Sequence, residues 1–452
     1  MSKPSLAALQ QPPLRRAEGA GSGSESAAAD ARANLLGMPR TELERFFVDL
    51  GEKPWRAKQV MKWIYHAGVA EFDAMTDISQ ALRNRLSDIA RIEAPVLTPF
   101  PAAADGTRKW SVAVGDGSER VEAVLIPEPS ARGSARGRPS QEEPSARGSA
   151  RGLPSQEEPS AGGRARGLSS QELEKPGRST LCISSQVGCV LDCAFCATGK
   201  QGFNGNLSRA EIVGQAWAVA RQLATEGSGR GITNIVFMGM GEPLYNFDAV
   251  VDAASVFTDD LGLGISRRRV TISTAGVAPR IRELASRSEV SLAVSLHAAE
   301  DELRSQLVPL NRRYPIAELL AACRHWLGQL GDRRSVTIEY TLMEGVNDAL
   351  ADAAKLAGLL GDLRCKVNLI PFNPFPGSQF KRPSMQRVRA FQTHLLGAGI
   401  PAMLRTTRGD DITAACGQLV GLVRDRTRRQ ARHLARRTGM APDEQLLRVT
   451  SP

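Results

Sequence analysis

Between residues 180 and 370, six short apolar runs alternate with stretches of helical periodicity such as 209–224 and 248–261; the runs fall at 180–184, 234–238, 269–274, 291–296, 336–342 and 366–370. No other feature of the chain restricts its fold as strongly. Near-continuously apolar strands belong in a sheet covered on both faces, and intervening helices supply the long connections that parallel neighbours require. Six such units predict an α/β fold, a partial (β/α)6 barrel of the TIM type, to which 402–407 adds a late strand. Chemistry in such a barrel gathers at the C-terminal strand ends. There the sequence turns polar: Gly239-Met-Gly241-Glu242-Pro243 follows the second run, Ser273-Thr-Ala-Gly276 ends the third, Ser295-Leu296-His297 ends the fourth, and Asn373 follows the sixth. A lone histidine after a strand usually packs or caps, but several strand ends turning polar together predict one shared site.

Just beyond the first run stand three cysteines within eight residues, Cys189-Val-Leu-Asp-Cys193-Ala-Phe-Cys196. The spacing lets three thiolates converge with no fourth nearby, leaving one coordination position open. Three-thiolate ligation suits a 4Fe-4S cluster with one iron free of protein ligands; a structural zinc site would need a distant fourth ligand to close it. This C-x3-C-x2-C run is the one that radical S-adenosylmethionine enzymes use.

Outside the barrel, residues 1–33 are rich in Ala, Gly, Ser and charge without a periodic apolar face, and are expected to form a disordered leader. No signal-peptide pattern and no apolar run of membrane-spanning length is present, so a cytoplasmic protein without membrane contact is expected. Residues 34–95 read as a small helical accessory domain, with Thr41 as a helix cap and apolar positions Val60, Met61, Ile64 and Tyr65 along 57–65. Its basic residues Lys53, Arg56, Lys58 and Lys62, beside Trp55 and Trp63, keep nucleic-acid binding open against a plainly solvated face. A β-hairpin extension is expected within 96–128, turning at Gly115-Asp-Gly117. From 129 to 175 a fifteen-residue Pro/Ser/Gly/Arg motif repeats from Pro129, Pro144 and Pro159. It carries too little apolar surface to offset the entropy of ordering, and reads as a disordered insertion before the barrel domain at 176–420.

Seven cysteines, three clustered and Cys182, Cys323, Cys365 and Cys416 scattered, speak against a secreted disulfide framework. Lys and Arg exceed Asp and Glu by ten, pointing to a polyanionic partner. A basic tail at 421–452 continues that trend: between 424 and 437 seven arginines stand against one aspartate, suiting phosphate contacts or a solvated helix.

Long motifs make the resemblance specific: Leu181-Cys-Ile-Ser-Ser-Gln-Val-Gly-Cys189, Gly202-Phe-Asn-Gly-Asn-Leu207, Gly239-Met-Gly-Glu-Pro-Leu244, Pro371-Phe-Asn-Pro-Phe-Pro-Gly377 and Arg408-Gly-Asp-Asp-Ile-Thr-Ala-Ala-Cys416-Gly-Gln-Leu419. Over about 34–128 and 176–425 the chain resembles the RlmN family of radical S-adenosylmethionine RNA adenine methyltransferases. The resemblance implies methylation of C2 of adenosine 2503 in 23S rRNA and of adenosine 37 in certain tRNAs. It implies cluster ligands Cys189, Cys193 and Cys196, and S-adenosylmethionine contacts from Gly241, Glu242, Ser273, Ser295, Leu296, His297 and Asn373. It further implies a methyl-carrying Cys416, a second catalytic cysteine at Cys182 that forms a transient disulfide with it, and Glu122 as proton acceptor. An electron donor such as flavodoxin or ferredoxin would reduce the cluster. Oligomeric state is silent in the sequence, and a monomer is expected.

Cys323 and Cys365 read as structural, since buried cysteines commonly behave as small hydrophobes. In the family the Glu122 strand runs almost directly into the Cys182 segment, whereas here the repeat separates them. Loop closure costs only about 0.6 kcal/mol per doubling of length, so an exposed insertion is expected to be tolerated. The rival readings are the sister activity at adenine C8, as in Cfr-type enzymes, against which Pro243 speaks, and an RNA-binding scaffold without catalysis.

Overall fold

The computed structural model describes residues 32–128, 178–227, 231–331, 333–405, 408–409, 412–415 and 417–438, the last five of these as backbone. The leader apart from its last two residues, the repeat insertion and Cys416 lie outside the described residues.

The N-terminal part comprises β1 (Ala33–Asn34), α1 (Arg40–Asp49), α2 (Arg56–Met61), α3 (Gln80–Ile89) and β2 (Ala90–Arg91), with β1 and β2 pairing in parallel. Helix α1 starts one residue before Thr41: Pro39 stands at the cap position, and its carbonyl accepts from the N–H groups of Glu42 and Leu43. The expected cap at Thr41 is therefore incorrect, because the preset backbone of proline opens the helix and leaves Thr41 inside the first turn. The helix expected over 57–65 changes character midway, α2 passing into a wider π-turn at Lys62–His66. Trp217 fastens this part to the barrel by donating to the Ile64 carbonyl at 2.6 Å, and Arg209 pairs with Glu42.

Next come β3 (Leu97–Pro99), β4 (Arg108–Val114), β5 (Glu119–Pro127) and β6 (Ser179–Cys182), then the short hairpin β7 (Gln186–Gly188) and β8 (Phe203–Asn206) around the cysteine loop. The barrel continues with β9 (Asn234–Phe237), β10 (Val270–Thr274), β11 (Ser291–Ser295), β12 (Val336–Leu342), β13 (Cys365–Pro371) and β14 (Ala402–Leu404). One sheet runs β14-β13-β12-β11-β10-β9-β6-β5-β4-β3. Every pairing from β6 to β14 is parallel, while β3, β4 and β5 extend the β6 edge antiparallel. The parallel strands are largely buried, with polar residues such as Ser273 and Glu339 among their apolar ones, and helices such as Arg209–Thr225 and Phe247–Thr258 serve as crossovers.

The pairing of β5 with β6 settles what the insertion does to the frame. Pro127 lies opposite Ser179, and the Glu128 N–H donates to the Arg178 carbonyl at 2.7 Å. The chain thus leaves at 128 and returns at 178 as the two arms of one hairpin. These two ends lie at the N-terminal end of the parallel strands, where Thr180 pairs with Asn234 at the start of β9, whereas Cys182 lies toward the other end, opposite Val236.

Helix Met385–Gly397 closes the core over β12, the Phe391 ring lying 5.4 Å from that of Tyr340 with both side chains fully enclosed. Phe391→Ala is expected to lower unfolding stability by about 3–5 kcal/mol, read as a fall in the denaturant midpoint.

Candidate active site

The cavity at the C-terminal strand ends has a volume of about 160 Å³. Cys189, Cys193 and Cys196 line one wall, with Gly241, Glu242, Ser273, Ser295, His297 and Asn373 around the rest. Of the residues that the resemblance nominates as cofactor contacts, Leu296 alone is not among those lining the cavity; its N–H donates to the Glu339 carbonyl and its own carbonyl accepts from Arg304. The expected late strand at 402–407 stops at Leu404, and Arg405 turns to the cavity.

Each polar group is held by the fold. Glu242 accepts from Leu244 N–H at 3.0 Å and Ala275 N–H at 2.7 Å, yet burial outweighs both bonds and pushes its carboxyl up to about 7. His297 sits at φ 61°, with Nδ1 accepting from Thr341 N–H at 2.9 Å. That bond places the remaining ring proton on Nε2, and burial depresses the imidazole to about 3, keeping it neutral. The Phe195 ring from the cysteine loop meets it edge-on at 4.5 Å. Gly241 has φ 106°, and a side chain there would meet the Gln186 backbone nitrogen at 2.8 Å, so only glycine lets the loop approach so closely.

The three thiols fit an iron–sulfur cluster better than a single ion. Among the described residues no three His, Cys, Asp or Glu side chains converge tightly enough for one metal ion. Three thiols on one wall of the cavity match in number the protein ligands of a 4Fe-4S cluster that keeps one iron open. Burial raises all three thiols above their ordinary value, so cationic iron would be required to stabilise the thiolates.

Glu122 and Cys182 sit beside the cavity on neighbouring strands. Cys182 lies opposite Val124 in the register, which puts Glu122 diagonally next to it on the same sheet face. Glu122 forms a buried pair with Lys109 at 3.1 Å, and its other oxygen accepts from Val420 N–H at 3.0 Å. Burial raises its carboxyl and Lys109 opposes the rise. Gly417 and Leu419, flanking the same segment, reach the cavity itself, so the stretch just after Cys416 spans both places. No disulfide joins any two of the six described cysteines. Cys323 is fully enclosed, burial pushing its thiol up to about 12, as a structural residue would be.

Sequence reading missed two buried charges. Glu339, mid-strand on β12, lines the cavity; one oxygen accepts from Asn368 at 2.9 Å and the other finds no hydrogen-bond partner among the described residues. Arg304 is fully buried and donates to the carbonyls of Ala275, Ser295 and Leu296, tying β10 to β11 where both strands end. Only an inward-facing period on β12 could have flagged Glu339, and nothing in the sequence distinguishes Arg304 from a surface arginine.

A parallel barrel whose strand ends surround three cluster-ready thiols defines a radical S-adenosylmethionine enzyme, and residues 183–357 match the family model of the Radical SAM superfamily. Residues 33–92 match the model described as ribosomal RNA large subunit methyltransferase N-terminal domain. The chain is 50% identical over 408 residues to the dual-specificity RNA methyltransferase RlmN of Marinobacter nauticus, covering 90% of this chain and 98% of that one. It is 47% identical over 415 residues to the protein of the same name from Pseudomonas fluorescens, covering 91% and 96%. A crystal structure of a radical SAM methyltransferase from Sphaerobacter thermophilus superposes with a TM-score of 0.69 at 40% identity, covering 86% of this chain and 99% of that one. The chain belongs to the RlmN family. Its cofactors are accordingly a 4Fe-4S cluster and S-adenosylmethionine.

Proposed function

We propose that this protein is a dual-specificity RNA methyltransferase that methylates C2 of adenosine 2503 in 23S rRNA and of adenosine 37 in tRNAs, acting in the cytoplasm. One observation carries the reading: a cavity walled by three cysteines and polar strand ends is joined, through residues 417–420, to Glu122 on the strand beside Cys182.

Adenine C2 is an electron-poor amidine carbon that will not attack a methylsulfonium, so a polar transfer directly to the base fails. When bound, the cluster with S-adenosylmethionine supplies a transferable methyl group and a 5′-deoxyadenosyl radical able to take hydrogen from a methyl thioether. Cys189, Cys193 and Cys196 hold the cluster, and Glu242, Ser273, Ser295, His297 and Asn373 orient the sulfonium cofactor. Cys416, as thiolate, accepts the methyl group and carries it as a thioether. Once that methyl has lost a hydrogen atom, its carbon bonds to C2 and links the RNA to Cys416. Glu122 removes the C2 proton, while the odd electron of the adduct would pass back to the oxidised cluster. The Cys182 thiolate then attacks the Cys416 sulfur and breaks its bond to the methylene carbon, which takes up a proton to become the product methyl group, leaving a Cys182–Cys416 disulfide that a reductant must reopen. The target base must leave its stack to reach the barrel mouth, and exposed arginines suit the phosphates around it. An electron donor of the flavodoxin or ferredoxin type would feed the cluster.

Anaerobic incubation of the reconstituted protein with reductant, methyl-labelled S-adenosylmethionine and protein-free 23S rRNA or tRNA tests this, read by nucleoside mass spectrometry. Formation of 2-methyladenosine with 5′-deoxyadenosine is expected; 8-methyladenosine, or no methylation of either RNA, would refute it.

The base must be ionised to take the proton, so methylation is lost as pH falls through the Glu122 pKa. Burial lifts that pKa above the ordinary carboxylate range and Lys109 restrains the rise. Lys109→Met is expected to move the acid limb of the rate–pH profile to higher pH, while Glu122→Gln abolishes product without preventing methylation of Cys416.

A further inference from the structure

The arginine-rich segment after Cys416 is divided between two tasks. Residues 417–430 run along the cysteine loop and are joined to it step by step. Ala197 N–H donates to the Gly417 carbonyl at 2.8 Å, the Thr198 hydroxyl donates to the Leu419 carbonyl at 2.8 Å, and Gln201 both donates to and accepts from Gly421. The most densely bonded member of the series is Arg429. Its Nη1 donates to the carbonyls of Cys189 at 3.0 Å, Leu191 at 2.8 Å and Gly199 at 2.9 Å, and its Nη2 donates to Val190 at 3.0 Å. Its Nε stands 3.9 Å from Asp192, and the side chain is only 13% exposed.

Residues 189–192 belong to no helix or strand, so their carbonyls have no ladder partners. Carbonyls that are withdrawn from water and left unpaired destabilise the loop that bears them. One planar guanidinium, with its donors in a fixed fork, satisfies four at once, which a lysine ammonium cannot match in geometry. The guanidinium is thereby turned inward and unavailable to a nucleic-acid phosphate, unlike the exposed Arg424, Arg426, Arg428 and Arg432 around it.

We propose that Arg429 is a positioning residue: it sets the shape of the first arm of the cluster loop and ties that arm to the segment following Cys416, so that cluster and methyl carrier share one frame. The proposal rests on the reading of the three thiols as cluster ligands. Groups that orient ligands from behind typically change metal affinity by ten- to a hundredfold when removed.

The test compares wild type, Arg429→Gln, Arg429→Lys and Arg432→Gln as full-length proteins, the last removing an exposed charge from the helix Arg429–Thr438 that Arg429 opens. After anaerobic reconstitution, the rate of iron loss to a chelator and the electron paramagnetic resonance line shape of the reduced cluster are recorded. Amide exchange of each apo protein is mapped separately. Arg429→Gln is expected to lose iron about ten- to a hundredfold faster, with a broadened resonance and faster exchange confined to 186–203. Arg429→Lys should fall between it and wild type, and Arg432→Gln should match wild type. Wild-type iron retention in Arg429→Gln, an equal defect in Arg432→Gln, or loss of exchange protection throughout the barrel would each overturn the proposal. If wild type itself took up no cluster, the reading of the thiols would fail first, and unchanged exchange at 186–203 in apo Arg429→Gln would refute the positioning role independently.

Discussion

Cys193→Ala is expected to give a folded protein that forms neither 5′-deoxyadenosine nor methylated RNA, a loss on the order of 10⁴-fold or more, because radical formation has no competing uncatalysed route on that scale. Three thiols line the cavity wall, and with two the cluster has neither its full anchorage nor a defined open iron. The substitution removes one sulfur atom from a loop whose backbone is already tied down from outside, so the thermal transition should move little. Iron and sulfide analysis, the visible absorption of the reconstituted protein and product assays check the result together. A variant that retained cofactor cleavage would show that the three cysteines are not the cluster ligands.

Cys182→Ala should produce a different failure. The cluster forms, Cys416 is methylated, and the methylene bridge to C2 is built, but nothing opens it. RNA is then expected to accumulate as a covalent conjugate through Cys416, seen as a mobility shift on a denaturing gel and as a nucleotide-bearing peptide in mass spectrometry. Turnover should fall to less than one product per chain. The position supports this role: Cys182 is buried on β6, diagonal to Glu122, where a thiol can follow proton removal at the same base. Cys323→Ala is the matched control, since that thiol is enclosed within helix Ile316–Leu330 and should leave turnover unchanged at a modest cost in stability. Absence of the conjugate despite methylated Cys416 would argue against the resolving role.

The barrel was legible because short β-rich runs with apolar residues alternate with helical periodicity. The 336–342 run coincides with β12, and the 366–370 run falls within Cys365–Pro371. Hairpin β7–β8 was not, since Gln186–Gly188 and Phe203–Asn206 have neither the length nor the β-branched content to register locally; their pairing is imposed by the loop they enclose. The cluster cysteines and the nominated cofactor contacts other than Leu296 line the cavity. Glu339, Arg304 and Arg429 escaped for a common reason: a buried charge and a surface charge are the same letter, and what separates them is the packing the fold builds around them. Arg429 finds its carbonyl partners more than two hundred residues upstream, a distance no periodicity can signal. The basic count of the tail therefore overstated what is free for RNA by at least this one residue.

The hairpin at 128 and 178 makes the barrel a two-ended object with unequal obligations. At the mouth, glycines, caps and buried acids leave little room for change, while at the floor the chain has a port, two adjacent ends through which sequence can be spliced in or cut out. A reporter domain joined at these two ends would be attached at the end of the strands opposite the cavity. The enzyme can thus be tethered, labelled or immobilised through its floor with the mouth left open.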